Sequence, residues 1–146
     1  MIEVWFDGVC EPKNPGGYGA YGLYIKNSNS VLLEEGILVG QGKDMSNNVA
    51  EYSGFLRALR FFKGKNLHTE EIFVRGDSKL VIMQMFSFWR IKQGLYVKLA
   101  LKAKEILEDF KKINGQWIPR EENEICDKLA KDVLRNMGIK FRLQPE

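Results

Sequence analysis

The stretch YGAYGLYIKNSNSVLLEEGILV, residues 18–39, decides the fold of this chain. Two segments rich in aromatic and branched side chains, 18–26 and 31–39, flank the turn-forming sequence NSNS, which is typical of a β-hairpin. Just upstream, Ile2 to Phe6 is another apolar and aromatic run. The beginning of the chain is therefore predicted to form three antiparallel strands in a meander.

Beyond residue 42 the hydrophobic period changes from that of strands to that of helices. Apolar residues recur there every three or four positions, at Val49, Tyr52, Leu56, Leu59 and Phe62. The elements predicted after this first helix are a strand at 72–74, a helix from Asp77-Ser78 to Met85, a helix over 96–113 closed by Asn114-Gly115, a strand at 116–118, and a helix over 123–137 followed by Gly138.

A helix that crosses between two strands places them parallel in one sheet. The order therefore predicts an α/β fold, with a five-stranded mixed sheet whose first three strands are antiparallel and with helices on both faces. A chain of 146 residues that is 45% hydrophobic fits one domain. We assign residues 1–138 to that domain and 139–146 to a C-terminal tail with little structure of its own.

The composition indicates a cellular location but does not identify a binding partner. Two cysteines, Cys10 and Cys126, are too few for a secreted disulfide framework, and no leader or membrane-spanning run is visible. We therefore expect a cytoplasmic protein with no membrane partner. The net charge of +3 permits a nucleic-acid partner but does not require one.

Four acidic residues stand at the ends of predicted elements. Asp7 closes the first strand, Glu51 lies in the first turn of the first long helix, Asp77 follows the fourth strand, and Asp127 lies in the first turn of the last helix. Divalent cations such as Mg²⁺ prefer oxygen ligands, and carboxylates converging from several elements can hold them beside a phosphate. The pattern indicates a metal-dependent phosphoryl-transfer site.

Each acid also has a purely structural explanation. Asp7-Gly8 is an ordinary turn dipeptide, and Asn48 could cap its helix with Glu51 reaching back. Asp77 could be a helix cap, and Asp127 could simply favour the positive end of a helix dipole. Taken singly these explanations are stronger than catalysis; taken together the four acids favour a site.

The residues resemble a known family, the type 1 ribonucleases H. Four blocks carry the resemblance, in the family's order and spacing: FDGVCEPKNPGGYGAYG at 6–22, SNNVAEYSGFLRAL at 46–59, VRGDSKLVI at 74–82 and WIPREENEICDKLAKD at 117–132. The resemblance implies the ribonuclease H fold and hydrolysis of the RNA strand of RNA/DNA hybrids, leaving 5′-phosphate and 3′-hydroxyl ends.

The resemblance also assigns site residues. It implies catalytic and metal-binding roles for Asp7, Glu51, Asp77 and Asp127, which would hold two Mg²⁺ ions, with Mn²⁺ as a substitute. It further implies substrate contacts, which it places at Cys10, Asn14, Ser46, Asn47, Asn48, Ser78 and Lys79. Short amides and hydroxyls suit the 2′-hydroxyls of the RNA strand. For Asn47, helix capping is nearly as good an explanation.

The chain departs from the family pattern at a loop. Many members carry a histidine between the last strand and the last helix, whereas here that loop is Pro119 to Glu122 and contains none. This resembles a histidine-lacking subgroup found in archaea and bacteria. Arg120 or Glu124 could fill the vacant role, although a solvated loop arginine is the simpler interpretation. The single histidine, His68, is expected at the surface, outside the chemistry.

Two further features stay open at this point. The segment from Arg90 to Lys104 carries five basic residues and no acidic one, which could serve as a small nucleic-acid-binding surface. Trp89 beside it could pack on a sugar or belong to the core. A disulfide between Cys10 and Cys126 is conceivable, but buried free thiols are more common.

Three functions compete. The leading hypothesis is a monomeric ribonuclease H. The first alternative is a catalytically weak module that binds hybrids or double-stranded RNA, against which the presence of all four carboxylates argues. The second is a related nuclease on the same fold, including one that acts on double-stranded RNA. A purely structural role explains the four acids least well.

Overall fold

A computed structural model describes residues 1–142 and shows a five-stranded mixed sheet. The sheet order is β3-β2-β1-β4-β5, with β1, β2 and β3 antiparallel and with β4 and β5 parallel to β1. The strands are β1 Ile2–Glu11, β2 Tyr18–Lys26, β3 Val31–Gln41, β4 Glu71–Gly76 and β5 Lys112–Trp117. The helices are α1 Asn47–Gly64, α2 Lys79–Phe86, α3 Val97–Leu107 and α4 Glu124–Asn136, with a short 3-10 turn at Arg120–Glu122. The predicted fold class is confirmed.

Helices cover both faces of the sheet. Tyr21 and Gly22 are consecutive residues of β2, so they face opposite sides. Gly54 of α1 packs against the ring of Tyr21, whereas the carbonyl of Cys126 in α4 lies directly over Gly22. The main apolar core lies between the sheet and α1, and α4 covers the other face over β1, β2 and β3.

The first strand continues past its predicted end. We expected Asp7 to close β1, but β1 extends to Glu11. Its antiparallel pairing with β2 continues to the pair Glu11 and Tyr18. The parallel pairing with β4 stops at Phe6 and Gly76. Asp7 therefore stands where β1 and β4 part, and it does not end a strand.

The second wrong boundary concerns β5. The sequence predicted that a helix reaches residue 113 and that Asn114-Gly115 closes it, but α3 ends at Leu107 and both residues lie inside β5. They pair in parallel with Phe73 and Val74 of β4. The ring of Phe86 occupies the space above Gly115 where a side chain would stand. Close packing thus explains the glycine, and helix termination does not.

The helix caps also differ from the prediction. Ser46 caps α1 by accepting a hydrogen bond from the amide of Val49 at 3.2 Å, so Asn48 is not the cap. Ser78 caps α2 by accepting from the amide of Val81 at 3.3 Å, so Asp77 is not a cap either. Capping therefore does not account for Glu51, which lies beyond the first turn, or for Asp77.

The end of the described chain returns to the start of the sheet. Gly138 follows α4 with φ of +80°, a conformation that suits glycine after a helix. Arg142 then binds Glu11 of β1. The expected tail continues over 143–146, outside the described residues. No helix within residues 1–142 has the length and apolar character needed to cross a membrane.

Candidate active site

Three acidic side chains converge at the point where β1 and β4 separate. One carboxylate oxygen from each of Asp7, Glu51 and Asp77 lies within 4.8 Å of the other two. Asp7 follows the last residue of β1 that pairs with β4, and Asp77 follows the last residue of β4. Glu51 comes from α1, which packs across β1. Pairing of β1 with β4 and packing of α1 thus bring together three of the four acids predicted from the sequence.

Gly8 allows α1 to approach this closely. A Cβ atom at Gly8 would overlap the backbone of Ala50 and Glu51, with the Cα of Glu51 at 2.8 Å. Any larger residue would push Glu51 away from Asp7. Sequence reasoning assigned Gly8 to a turn and missed this role, for which the only signal was a glycine beside a candidate acid.

The cluster concentrates negative charge in a poorly hydrated place. Burial, and then the nearby charge of Asp77, raises the pKa of Asp7 from its ordinary 3.8 to about 8. Burial and the charge of Asp7 raise the pKa of Glu51 well above its usual range. Among the described residues, the buried Oε2 of Glu51 has no hydrogen-bond partner. Such a group of converging hard oxygen atoms is suited to a divalent cation.

The fourth acid lies in the same cleft but outside that group of three. Asp127 is one turn into α4, and its Oδ2 lies 3.0 Å from Nζ of Lys131. On the opposite side, Nε of Arg120 lies 4.0 Å from Oδ2 of Asp77. Two cationic side chains thus stand at the edges of the acidic cluster, facing the same cleft.

Most of the predicted substrate contacts line this cleft, which has a volume of about 600 Å³. They are Cys10, Asn14, Asn47, Asn48, Ser78 and Lys79. Ser46 is not part of the lining and instead caps α1. Asn47 does not cap the helix: its Oδ1 accepts from Nδ2 of Asn14 at 2.8 Å, and its amide donates to Oδ1 of Asn14 at 3.0 Å. This pair joins the β1–β2 loop to α1.

The two candidates for the histidine role lie in different places. Arg120 lines the acidic cleft, whereas Glu124 lines a separate pocket beside Trp5 and Tyr24. His68 packs on Phe110, with ring centroids 6.1 Å apart, and is not among the residues that line the cleft.

Asn123, the residue before α4, was not singled out by the sequence reasoning. It is 1% exposed, and its Nδ2 donates to the carbonyl of Phe6 at 2.8 Å and approaches Oδ1 of Asp77 at 3.4 Å. Its own carbonyl accepts from the amide of Asp127 at 3.1 Å. One asparagine therefore contacts the residue before Asp7, the side chain of Asp77 and the backbone of Asp127.

The two cysteines are free and buried. Burial raises the pKa of the Cys10 thiol, and burial together with the neighbouring acids raises that of Cys126. Both thiols are therefore protonated and unreactive at neutral pH.

The basic segment forms an exposed surface. Its charged side chains all lie in contact with solvent: Arg90, Lys92, Lys98, Lys102 and Lys104. Trp89 is 46% exposed and Phe88 is 96% exposed. The core alternative for Trp89 is therefore wrong, and two aromatic rings stand beside the basic side chains.

A mixed sheet of this order, with carboxylates gathered where β1 and β4 part, defines the class of ribonuclease H-like domains. A family model described as "Reverse transcriptase-like" matches residues 5–133. The chain belongs to this family, and within it to the type 1 ribonucleases H.

Individual relatives agree. The bifunctional protein Rv2228c of Mycobacterium tuberculosis is 36% identical over 120 residues, which cover 82% of this chain and 31% of that protein. The chain thus spans about a third of the length of this relative. The crystal structure of RNase H1 from Halobacterium salinarum superposes with a TM-score of 0.78 at 27% identity, covering 92% of this chain and 98% of that one. LC11-RNase H1, solved in complex with an RNA/DNA hybrid, gives 0.74 at 27% identity, covering 92% and 99%.

Proposed function

We propose that this chain is an endonuclease that hydrolyses the RNA strand of RNA/DNA hybrids with the help of divalent metal ions. The observation that carries the proposal is the convergence of three carboxylates, those of Asp7, Glu51 and Asp77, of which the first two are buried. The hybrid bound to LC11-RNase H1 supports the choice of substrate. Water would add across the bond between phosphorus and the 3′ oxygen, leaving a 5′-phosphate and a 3′-hydroxyl.

Asp7, Glu51 and Asp77, with Asp127 beside them, would hold the ions, for which Mg²⁺ and Mn²⁺ both fit oxygen ligands. When bound, such ions supply activation of the attacking water and stabilisation of the charge on the leaving oxygen. The contribution of the chain is to fix the carboxylates: β1 and β4 set the separation of Asp7 and Asp77, and α1 adds Glu51 across Gly8.

Polar side chains of the cleft would position the hybrid. Asn14 and Asn47 are already fixed to each other, and together with Asn48 they present amides at one end of the acidic cluster. Amides can both donate to and accept from the 2′-hydroxyls that distinguish RNA from DNA. The exposed basic segment from Arg90 to Lys104 would contact the phosphates of the other strand without reading its sequence.

Arg120 is better placed than Glu124 to take the role of the missing loop histidine. It lines the cleft and approaches Asp77, whereas Glu124 lies in another pocket. An arginine remains protonated, so it would act as a fixed cation on a phosphate or on the departing product, not as a proton carrier.

The proposed setting is the cytoplasm, and the proposed state is a monomer. The two buried free cysteines support a reducing compartment.

The deciding experiment is cleavage of an end-labelled RNA/DNA hybrid with Mg²⁺, with Mn²⁺ and with EDTA. Single-stranded RNA and double-stranded RNA of the same sequence serve as controls, and Asp77→Asn serves as the inactive variant. Metal-dependent cutting of the hybrid's RNA strand is the expected result. Binding without cutting under both metals would make the chain a hybrid-binding module, and preferential cutting of double-stranded RNA would change the substrate class.

A further inference from the structure

Arg142, near the end of the chain, reaches the rim of the acidic cleft. Its Nε and Nη2 donate to the carboxylate of Glu11 at 3.0 and 2.9 Å, and its backbone amide donates to the same carboxylate at 2.8 Å. Nη2 also donates to the carbonyl of Cys10 at 2.9 Å. Three hydrogen bonds from the guanidinium and one from the backbone amide therefore fix Arg142 to the last two residues of β1.

The acid that holds Arg142 is itself buried. The Glu11 residue is 6% exposed, and its carboxylate faces the cationic side chains of Arg142 and Lys131. Burial alone would raise the pKa of Glu11, but the hydrogen bonds and charge of Arg142 outweigh it and lower that pKa below its ordinary value. The ionised, buried carboxylate of Glu11 binds the Arg142 guanidinium in a bidentate manner. Charge-assisted pairs of this kind hold the arginine side chain in one orientation.

Part of the Arg142 guanidinium takes no part in the hydrogen bonds to Glu11 and Cys10. Nη1 has no hydrogen-bond acceptor among residues 1–142, and the Arg142 side chain is 45% exposed. Arg142 lines the same cleft as Asp7, Asn14 and Lys131. Two N–H groups of a fixed cation are thus available beside the path proposed for the RNA strand.

We propose that Arg142 is a substrate-binding residue, which the C-terminal segment supplies to the cleft and which contacts a phosphate of the RNA strand outside the scissile position. This inference rests on the proposed function, because it takes an RNA/DNA hybrid as the ligand. Glu11 is its positioning residue: it holds the guanidinium in a planar, pre-formed orientation and contributes no contact of its own. Phosphate contacts of this type add affinity and salt dependence but no sequence preference.

The test measures binding apart from catalysis. In an Asp77→Asn background, the affinity for a labelled RNA/DNA hybrid is followed by fluorescence anisotropy at several KCl concentrations. Arg142→Gln is expected to weaken binding about 3- to 10-fold at low salt and to reduce the slope of log affinity against log salt by about one. Arg142→Lys restores most of the slope. Arg60→Gln, an exposed arginine of α1 outside the cleft lining, leaves both quantities unchanged.

Because Arg142→Gln leaves a buried carboxylate unpaired, the double variant Glu11→Gln/Arg142→Gln is measured beside it, and the melting temperature of each variant is recorded. A lower slope in both variants supports the inference. Unchanged affinity and slope in both overturn it, even if the melting temperature falls, because the contact is then structural. If the parent protein itself does not bind the hybrid, the proposed function is wrong, and the inference about Arg142 falls with it.

Discussion

The side-chain amide of Asn123 donates a hydrogen bond to the backbone carbonyl of Phe6 at 2.8 Å, one residue before Asp7. The same nitrogen lies 3.4 Å from Oδ1 of Asp77. The start of α4 is thus tied to the place where β1 and β4 part, which positions the acidic cluster. Asn123 is not itself a candidate metal ligand, so its effect on activity passes through the position of Asp7 and Asp77.

Asn123→Ala should lower both stability and activity. The substitution leaves the buried carbonyl of Phe6 without its donor, which costs about 1–3 kcal/mol of unfolding free energy. The turnover number should fall more than the Michaelis constant rises, since the carboxylates lose their alignment. Urea denaturation and steady-state cleavage measure the two effects. Asn136→Ala, at the exposed end of α4, is the matched control and should change neither.

Removal of any one carboxylate should abolish most of the activity and preserve the fold. For Asp7→Asn, Glu51→Gln, Asp77→Asn and Asp127→Asn we expect a loss of several kcal/mol of transition-state stabilisation, on the order of a 1000-fold slower rate. Circular dichroism should remain that of the parent. Cleavage near the parental rate by both Asp7→Asn and Asp77→Asn would refute the assignment of the site.

Gly8→Ala should separate α1 from β1. The added Cβ overlaps the backbone of Glu51 and Ala50, which cannot move as a flexible side chain would, so a cost of about 1–3 kcal/mol is expected together with loss of cleavage. Gly64→Ala is the control, because nothing lies within 4 Å of the added atom at the end of the same helix. That variant should be neutral or slightly more stable. Equal effects of the two substitutions on activity would contradict the packing argument.

The metal-free protein should lose stability as the pH rises from 5 to 8. The pKa of Asp7 is raised from 3.8 to about 8 in the folded protein, so the folded state holds a proton that the unfolded chain releases. The resulting stability is complete below about pH 4 and is lost as the pH approaches 8. Thermal melting in EDTA at pH 5, 6.5 and 8 measures this trend. Asp7→Asn should make the trend shallower, and the part that remains belongs to Glu51, whose pKa is also raised. Mg²⁺ should raise the melting temperature most at pH 8, where proton release favours metal binding.

Arg120→Ala should slow turnover by about 10-fold, whereas Glu124→Ala should not. Arg120 lies 4.0 Å from Asp77 and faces the cleft, and Glu124 lines the separate pocket. A well-placed cation next to a reacting phosphate contributes roughly 1.4 kcal/mol, which corresponds to that factor. Single-turnover rates and product-release rates, measured for both variants, distinguish an effect on chemistry from one on release. A larger effect of Glu124→Ala would reverse the assignment.

The sequence predicted the structure best where the pattern of apolar side chains along the chain matches their burial in the fold. The buried face of α1 follows from side-chain periodicity, because one covered face imposes that periodicity. Strand β2 is covered on both faces, and its aromatic and branched residues predicted it instead. The end of β1 could not be predicted in this way, since Asp7-Gly8 suits both a turn and a strand that passes a helix closely. Long-range pairing with β2 decides between them. For the same reason Asn114-Gly115 was assigned to a helix end, although β4 and the ring of Phe86 hold it in β5.

Residues that act through distant partners were missed. Asn123 and Glu11 look like ordinary polar residues in the chain, and their significance comes from Phe6 and Arg142, which are remote in sequence. The converging acids were found because each was predicted to stand at the end of an element, although Asp7 in fact lies inside β1. Substrate roles for the polar residues of the cleft remain predictions that the hybrid-binding measurements address.

The parting of β1 and β4 also bears on how the protein acquires its activity during folding. Strands β1, β2 and β3 are neighbours in sequence and pair through short connections, whereas the pairing of Ile2 with Ile72 joins distant parts of the chain. Contacts between distant residues carry a larger loop-closure entropy and tend to slow folding. Because Asp7 and Asp77 meet through that distant pairing, strands β1, β2 and β3 alone cannot assemble the site. On the proposed function, the ability to cut RNA should therefore appear only after this distant pairing has formed.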